Sequence, residues 1–178
     1  KENRKFQYKV VRSGGNASLF GDALDWLVLS GTVKRCSLVG QIESPLEAFV
    51  NPSSFKIYQA DTGLLVSKAG AQRADILAGI GGTFMGALTE NYVAQQLSAI
   101  GYPLHYWVRD NRAEIDFVVE RQGCVSAIEV KAGENTRSRS LSSLKKTHSG
   151  VRLIRLSTKP FGMNDGLMSV PLYAAFCL

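Results

Sequence analysis

The sequence predicts an α/β fold in which a unit spanning residues 53–178 is preceded by a smaller α+β segment over residues 1–52. Three observations predict it. From Thr83 onward the apolar patterning runs helix, three strands, helix, strand, strand. The run Asn51-Pro52-Ser53-Ser54 has the composition of a linker and separates that unit from what comes before it. With 45% hydrophobic and 20% charged residues in a chain of 178, the composition is that of an ordinary globular protein with enough apolar side chains for a sizeable core.

In the first segment, Asn16-Ala17-Ser18 can cap a helix whose apolar face carries Leu19, Phe20, Ala23, Leu24, Trp26, Leu27 and Val28, with Gly31 as the stop. Two short strands follow, Thr32 to Gly40 and Ser44 to Val50, split by Gln41-Ile42-Glu43. A helix followed by a small hairpin is the end of a winged helix-turn-helix, which touches nucleic acid if the helix is presented to a groove. The alternative is a packing spacer, in which Trp26 and Leu27 belong to the core rather than to a recognition surface.

Beyond the linker, Phe55 to Ala60 reads as a short strand, Asp61 to Leu65 as the start of a turn or helix, and Gln72 to Gly79 as a short helical piece. The Gly79-Ile80-Gly81-Gly82-Thr83 cluster lacks the Gly-Lys-Ser/Thr ending of a phosphate loop, which argues against ATP binding there. Thr83 to Ile100 is the longest helical stretch, closed by Gly101, Tyr102 and Pro103. Its stripe of Gly86, Ala87, Glu90, Val93, Ala94 and Leu97 contains a single carboxylate, Glu90. Such a buried acid needs a partner. It can snorkel to solvent, Arg109 or Lys131 can neutralise it, or it can serve as an additional metal ligand. Leu104 to Arg109 forms a strand, Ser138-Arg139-Ser140 leads into a helix through Leu141, Leu144 and Lys145, Val151 to Leu156 is a strand, and Leu167 to Phe176 returns as the last one after the Gly162–Gly166 loop.

The chemistry concentrates between Arg112 and Gly133, which read as two strands joined by a turn drawn from Arg121-Gln122-Gly123-Cys124. In the first strand Ile115, Phe117 and Val119 alternate with Glu114, Asp116 and Val118; in the second Val125, Ala127, Glu129 and Lys131 alternate with Ser126, Ile128 and Val130. A loop of two or four residues puts Asp116 and Glu129 on one face, with Glu129 opposite Glu114 or Asp116 respectively. A three-residue loop puts them on opposite faces. Ionised groups on apolar strands are rarely buried unless paired or bound to metal. Asp116 and Glu129 therefore suit hard oxygen ligation of a divalent cation, with Lys131 able to contact a phosphate or an attacking water. The alternative is a solvated face laced with cross-strand charge pairs.

Several classes are excluded by composition. No run approaches the roughly 18 apolar residues of a membrane span, and Lys1-Glu2-Asn3-Arg4-Lys5 leads into no signal-peptide core, so a cytoplasmic chain is expected. Cys36, Cys124 and Cys177 are odd in number and widely spaced, which argues against a disulfide framework and a structural zinc. The net charge of +6 is uneven: residues 131–159 hold Lys131, Arg137, Arg139, Lys145, Lys146, Arg152, Arg155 and Lys159 against Glu134 alone. A basic surface of this kind fits a polyanion, with Arg137, Arg139, Lys145 and Lys146 as candidate phosphate contacts.

The order of elements, with Glu90 in the first helix, Asp116 in the second strand and Glu129-Val130-Lys131 in the third, resembles the PD-(D/E)XK nuclease superfamily. The resemblance implies a restriction-endonuclease-like mixed sheet flanked by helices. It also implies that Asp116 and Glu129 hold Mg (or Mn), that Lys131 orients the nucleophilic water, and that Glu90 assists as a catalytic acid and further metal ligand. No proline precedes Asp116; its neighbour is Ile115. A second resemblance covers nearly the whole chain. The stretches FKIYQADTGLL, GALTENYVAQQL, YPLHYWVRDNRAEIDFVVE, IEVKAGENTRSRSLSSLKK and VPLYAAF look like the C-terminal region of a prokaryotic family of AAA+ superfamily ATPases. That family implies an N-terminal AAA+ ATPase module, which would bind the ATP and is missing here, then a winged-helix segment, then a nuclease-like domain. The expected function is a Mg-dependent phosphodiesterase acting on nucleic acid, DNA first. The alternatives are a catalytically silent nuclease fold that grips DNA or protein, or a domain that makes the ATPase a homo-oligomer through the apolar strand Val170 to Phe176.

Overall fold

The structure, a computed structural model, describes residues 5–80, 82–109, 113–133 and 138–178. Gly81 of the glycine cluster, Arg112 at the start of the hairpin, and Glu134 and Arg137 of the basic segment lie outside these residues. After a single turn, α1 (Tyr8–Val11), comes α2 (Ala17–Leu29). The Asn16 side chain accepts from the backbone N–H of Leu19 at 3.1 Å, and the chain leaves at Gly31 with φ of 73°, as the cap and stop signals require. The burial of α2 departs from expectation. Leu24 is buried and packs with Val28 on Val33 and Phe55, whereas Trp26 is 72% exposed and Leu19, Leu27 and Leu29 also face outward. The helix rests on the edge of the sheet, where two strands cover only a narrow part of its wide apolar surface.

That edge is built by β1 (Val33–Val39) and β2 (Val50–Gln59), an antiparallel pair. The strand expected at Ser44 to Val50 is instead a connection containing a 3-10 turn at Leu46–Phe49. The linker-like residues Asn51 to Ser54 lie within β2, so the boundary expected at residue 52 falls inside a strand. β2 is an edge strand, and its register slips against β1 between Ser37 and Leu38, which makes room for Pro52 without a lost ladder bond in the sheet interior. The small segment forms no free wing. β1 runs parallel to β3 (Leu104–Arg109), pairing Cys36 with Leu104 and Leu38 with Tyr106, so residues on both sides of the expected boundary share one sheet.

After β2, Asp61 caps α3 (Thr62–Ala69) by accepting from the N–H of Leu64 at 2.8 Å, and α4 (Arg73–Leu77) is a short piece. The long helix α5 (Gly82–Ala99) ends before Gly101, at φ of 90°. Its buried residues Glu90, Val93, Ala94 and Leu97 follow the expected stripe, joined by Leu88 and Asn91, while Gly86 is exposed. Asn91 clamps the helix to the edge strand, accepting from Gln59 N–H at 2.8 Å and donating to its carbonyl at 3.1 Å.

β3 is followed by β4 (Ala113–Arg121), β5 (Cys124–Val130), α6 (Arg139–Lys145), β6 (Arg152–Ser157), β7 (Gly162–Asn164) and β8 (Leu167–Pro171). The described residues form an eight-stranded mixed sheet ordered β2-β1-β3-β4-β5-β6-β8-β7. The last strand is shorter than predicted: it stops at Pro171, which cannot donate to a ladder, and Leu172–Cys177 winds into a 3-10 turn. Val170, Ala174 and Ala175 pack into this chain's own core rather than standing free for a partner strand.

Two layers of core result. On one face, Val93, Ala94 and Leu97 of α5 meet Phe117, Val119, Ile128, Ile154 and Leu156. On the other, Leu141 and Leu144 of α6 meet Ile115, Val118, Ala127 and Leu153. Among the described residues no helix is long and apolar enough to cross a membrane.

The three thiols separate by position. Cys36 is fully buried and its burial pushes the thiol well above the ordinary range, whereas Cys124 and Cys177 are exposed. Since the thiolate is the reacting form, a thiol-specific reagent is expected to modify Cys124 and Cys177 in the native protein and Cys36 only in denaturant. Equal native rates at all three, read by mass spectrometry, would contradict this packing.

Candidate functional site

The hairpin turn consists of Gln122 and Gly123, with φ of 52° and 74°, the left-handed pair that short hairpins favour. Register then runs Arg121 with Cys124, Val119 with Ser126 and Phe117 with Ile128. Continued by one step it brings Glu129 level with Asp116, where the expectation for a two-residue loop was Glu114. Loop length alone would now put both acids on one face.

A β-bulge prevents that. On β3 His105 pairs with Val118 and Trp107 with Ile115, so Asp116 and Phe117 together oppose the single residue Tyr106. One extra residue reverses the parity of the strand. Val119 and Phe117 belong to the α5 side, and so does Asp116, which lines a cavity of about 190 Å³ with Gly86, Ala87, Glu90, Val130 and Ala132. Glu129 follows Val125 and Ala127 in the alternation of β5, on the α6 side. The ladder ends at Phe117 and Ile128, and past that point the Asp116 carboxylate reaches across to accept from Val130 N–H at 2.8 Å. Asp116 and Glu129 thus stand at the same level on two sides of a fork between β4 and β5, not on one shared face.

Glu90 has a partner that the sequence reading did not identify. Lys56 of β2 donates to its Oε1 at 3.0 Å and to Glu114 Oε1 at 2.7 Å, and Tyr58 donates its hydroxyl to the same Glu90 oxygen at 2.5 Å. Neither Arg109 nor Lys131 fills that role: Arg109 lies over the Trp107 ring and donates to Thr147, and Lys131 pairs with Glu129. Burial disfavours the Lys56 ammonium, but the Glu90 and Glu114 carboxylates outweigh it and hold its pKa above the usual lysine value. Burial raises Glu90 above the carboxylate range despite Lys56, and the charge of Asp116 adds to the rise. Tyr58 is pushed well up by burial and by Glu90. The available signal was a lone lysine in the apolar strand Phe55-Lys56-Ile57-Tyr58, opposite a helix with a lone acid.

On the other face, Lys131 Nζ lies 2.6 Å from Glu129 Oε1, while Glu129 Oε2 is buried with no hydrogen-bond partner among the described residues. Glu129 pairs in register with Arg155 of β6, whose Nη2 donates to Ser169 Oγ at 2.6 Å. Arg155 opens into a groove of about 540 Å³ lined also by Arg139, Lys146, Ser138, Ser142 and Ser143. Of the predicted phosphate contacts, Arg139 and Lys146 therefore share a concave surface. Lys145 turns away, its Nζ held by Asp165 through the carboxylate at 2.5 Å and the backbone carbonyl at 2.6 Å. Arg137 lies outside the described residues.

Among the described residues no three His, Cys, Asp or Glu side chains converge as a ready metal cage. Asp116 lines the cavity on the α5 side with Glu90 and does not share a face with Glu129; the carboxylate that fits a hard divalent cation is Glu129, on the α6 side. A cation held there would take most of its ligands from water, which suits magnesium. The orphaned Glu129 oxygen is the observation that fits such an ion, since a buried carboxylate oxygen without a partner is costly.

Residues 85–175 match the model of a family described as Domain of unknown function (DUF4143). Two uncharacterized proteins, from Mycobacterium bovis and Mycobacterium tuberculosis, are each 34% identical to this chain over 124 residues, covering 65% of it. The match spans 27% of the length of each relative, about a quarter. No solved structure matches significantly.

Proposed function

This chain belongs to the DUF4143 family, and on that premise we propose that it carries a restriction-endonuclease-like, Mg-dependent phosphodiesterase site for nucleic acid at the fork between β4 and β5. The observation that carries the reading is the buried Glu129 Oε2 without a partner, one residue from the backbone N–H that Asp116 accepts. Glu129 would hold the ion, which when bound polarises a phosphate and acidifies a water, while Asp116, on the other side of the fork, would fix the strand beside it through the Val130 N–H. Lys131, a quarter exposed and tied to Glu129, keeps its ammonium at the rim, where it can stabilise negative charge on a phosphate. Glu90 positions rather than ligates in this reading, because Lys56 and Tyr58 already occupy it. Arg139 and Lys146 would bind the strand's backbone, DNA first among substrates. The greater length of the relatives accommodates an ATPase module as part of a longer chain.

A second reading is a silent grip on nucleic acid. It is favoured by the pairing itself: Glu90 closes on Lys56 and Glu129 on Lys131, as in a structural network.

The two readings separate by titrating Mn²⁺ calorimetrically into the wild type, Asp116→Ala and Glu129→Ala, and assaying the same proteins for cleavage of single- and double-stranded DNA. Catalysis predicts metal binding in the wild type, with cleavage falling by roughly a hundredfold or more in Glu129→Ala, the scale of a lost metal ligand, and by about ten- to a hundredfold in Asp116→Ala, the scale of a lost supporting partner. Folded wild type that binds no Mn²⁺ yet retains DNA in a salt-dependent way would sink the catalytic reading and leave the grip.

A further inference from the structure

The outward face of α2 is not the polar face that a surface helix ordinarily presents. Leu24 and Val28 turn inward onto Val33 and Phe55. On the opposite side Leu19, Asp22, Trp26 and Leu29 follow one another at i, i+3, i+7 and i+10, the spacing of a seam between two helices. Leu19, Trp26 and Leu29 are 64%, 72% and 79% exposed, so among the described residues nothing covers this stripe along a helix of 13 residues.

Charge and side-chain order restrict what can cover it. α2 carries Asp22 and Asp25 and no Lys, Arg or His, and Asp25 is held by Arg35 at 3.3 Å. An acidic helix repels the phosphates of a nucleic-acid groove. The stripe is instead complementary to itself. When one helix packs antiparallel on its own copy across a two-fold axis at the level of Leu24, residues equidistant from Leu24 are brought level with one another. Leu19 then meets Leu29 of the second copy, Ser18 meets Ser30, and Asp22 meets Trp26. Leucine faces leucine, and a carboxylate that only accepts faces an indole N–H that only donates. A parallel pairing would set Asp22 against Asp22. We propose that α2 is a dimerisation helix, packed antiparallel on α2 of a second copy of this chain. The inference stands independently of the phosphodiesterase reading. A helix of this length extends about 20 Å, and such a seam buries less than the roughly 800 Å² per partner of a standard interface. The dimer is therefore weak, with a dissociation constant on the order of 10 µM. Well below that concentration Trp26 stands in water.

The test is sedimentation equilibrium of the chain from about 1 to about 300 µM, a range that brackets the expected dissociation constant, with tryptophan emission read over the same series. Wild type is expected to move from 19.4 kDa toward twice that mass. Its emission should shift to shorter wavelength as Trp26 leaves water, since the other tryptophan, Trp107, is buried at every concentration. Leu19→Lys and Leu29→Glu, at exposed positions whose replacement leaves the core intact, should each weaken association by about tenfold or more. The combined variant brings the introduced ammonium level with the introduced carboxylate of the other copy, and should associate more tightly than either single variant. A chain that stays monomeric throughout would overturn the proposal, as would a dimer indifferent to both single variants. A combined variant that associates no more tightly than the single ones would overturn the antiparallel pairing. An emission shift produced by duplex DNA at a concentration where the protein is monomeric would overturn the dimer in favour of a nucleic-acid surface.

Discussion

Replacing Lys56 by Met is expected to cost the fold about 3–5 kcal/mol, the usual consequence of removing one partner from a buried ion pair. The side chains of Lys56 and Glu90 are only 3% and 11% exposed, so water cannot take the lysine's place. Glu114, with its side chain about a quarter exposed, can be rehydrated; Glu90 cannot. Adding Glu90→Gln to Lys56→Met is therefore expected to restore most of the loss, because the amide keeps a bond to Tyr58 without a buried charge. Urea unfolding at pH 7 measures both variants, and equal stability of wild type and Lys56→Met would contradict the network.

The pH dependence follows from the same pair. Lys56 holds its proton more tightly in the folded state than the ordinary lysine value of 10.5. Its stabilisation is thus complete below that pH and is lost as pH rises above it. Glu90, raised above the ordinary carboxylate value of 4.5, works in the same sense at lower pH. The folded state binds its proton more tightly, so stability from this group falls as pH climbs from 4.5 through the folded value. In Lys56→Met, where the ammonium no longer offsets the charge of Glu90, the deficit is expected to shrink on acidification.

The second large effect contrasts two aromatic residues. Phe117→Ala is expected to destabilise by about 3–5 kcal/mol, and Trp26→Ala to change stability by no more than about 0.5 kcal/mol. Phe117 is fully buried, its ring 5.6 Å from that of Tyr58, and deletion leaves a cavity between α5 and the sheet. Trp26 stands largely in water. Thermal or urea unfolding of the two variants settles the comparison, and a Trp26→Ala loss matching that of Phe117→Ala would place α2 inside a core.

Local pattern alone set much of this molecule. The Asn16 cap, the span of α5, the strand at Leu104 and the hairpin around Gly123 are each specified by neighbours within a few residues, where propensity and periodicity act. The contact of Glu129 with Lys131 is local in the same way, since residues two apart on a strand share a face. The pairing of β1 with β3, the burial of Phe117 against the exposure of Trp26, and the partner of Glu90 were decided by tertiary packing. Lys56 meets Glu90 across 34 residues and Glu114 across 58, distances over which sequence periodicity carries no information. The bulge at Asp116 and Phe117 shows the reason most plainly. Alternation reports faces only while the count of residues on both strands is equal, and one extra residue opposite Tyr106 moves Asp116 to the side of α5 while Glu129 stays on the side of α6.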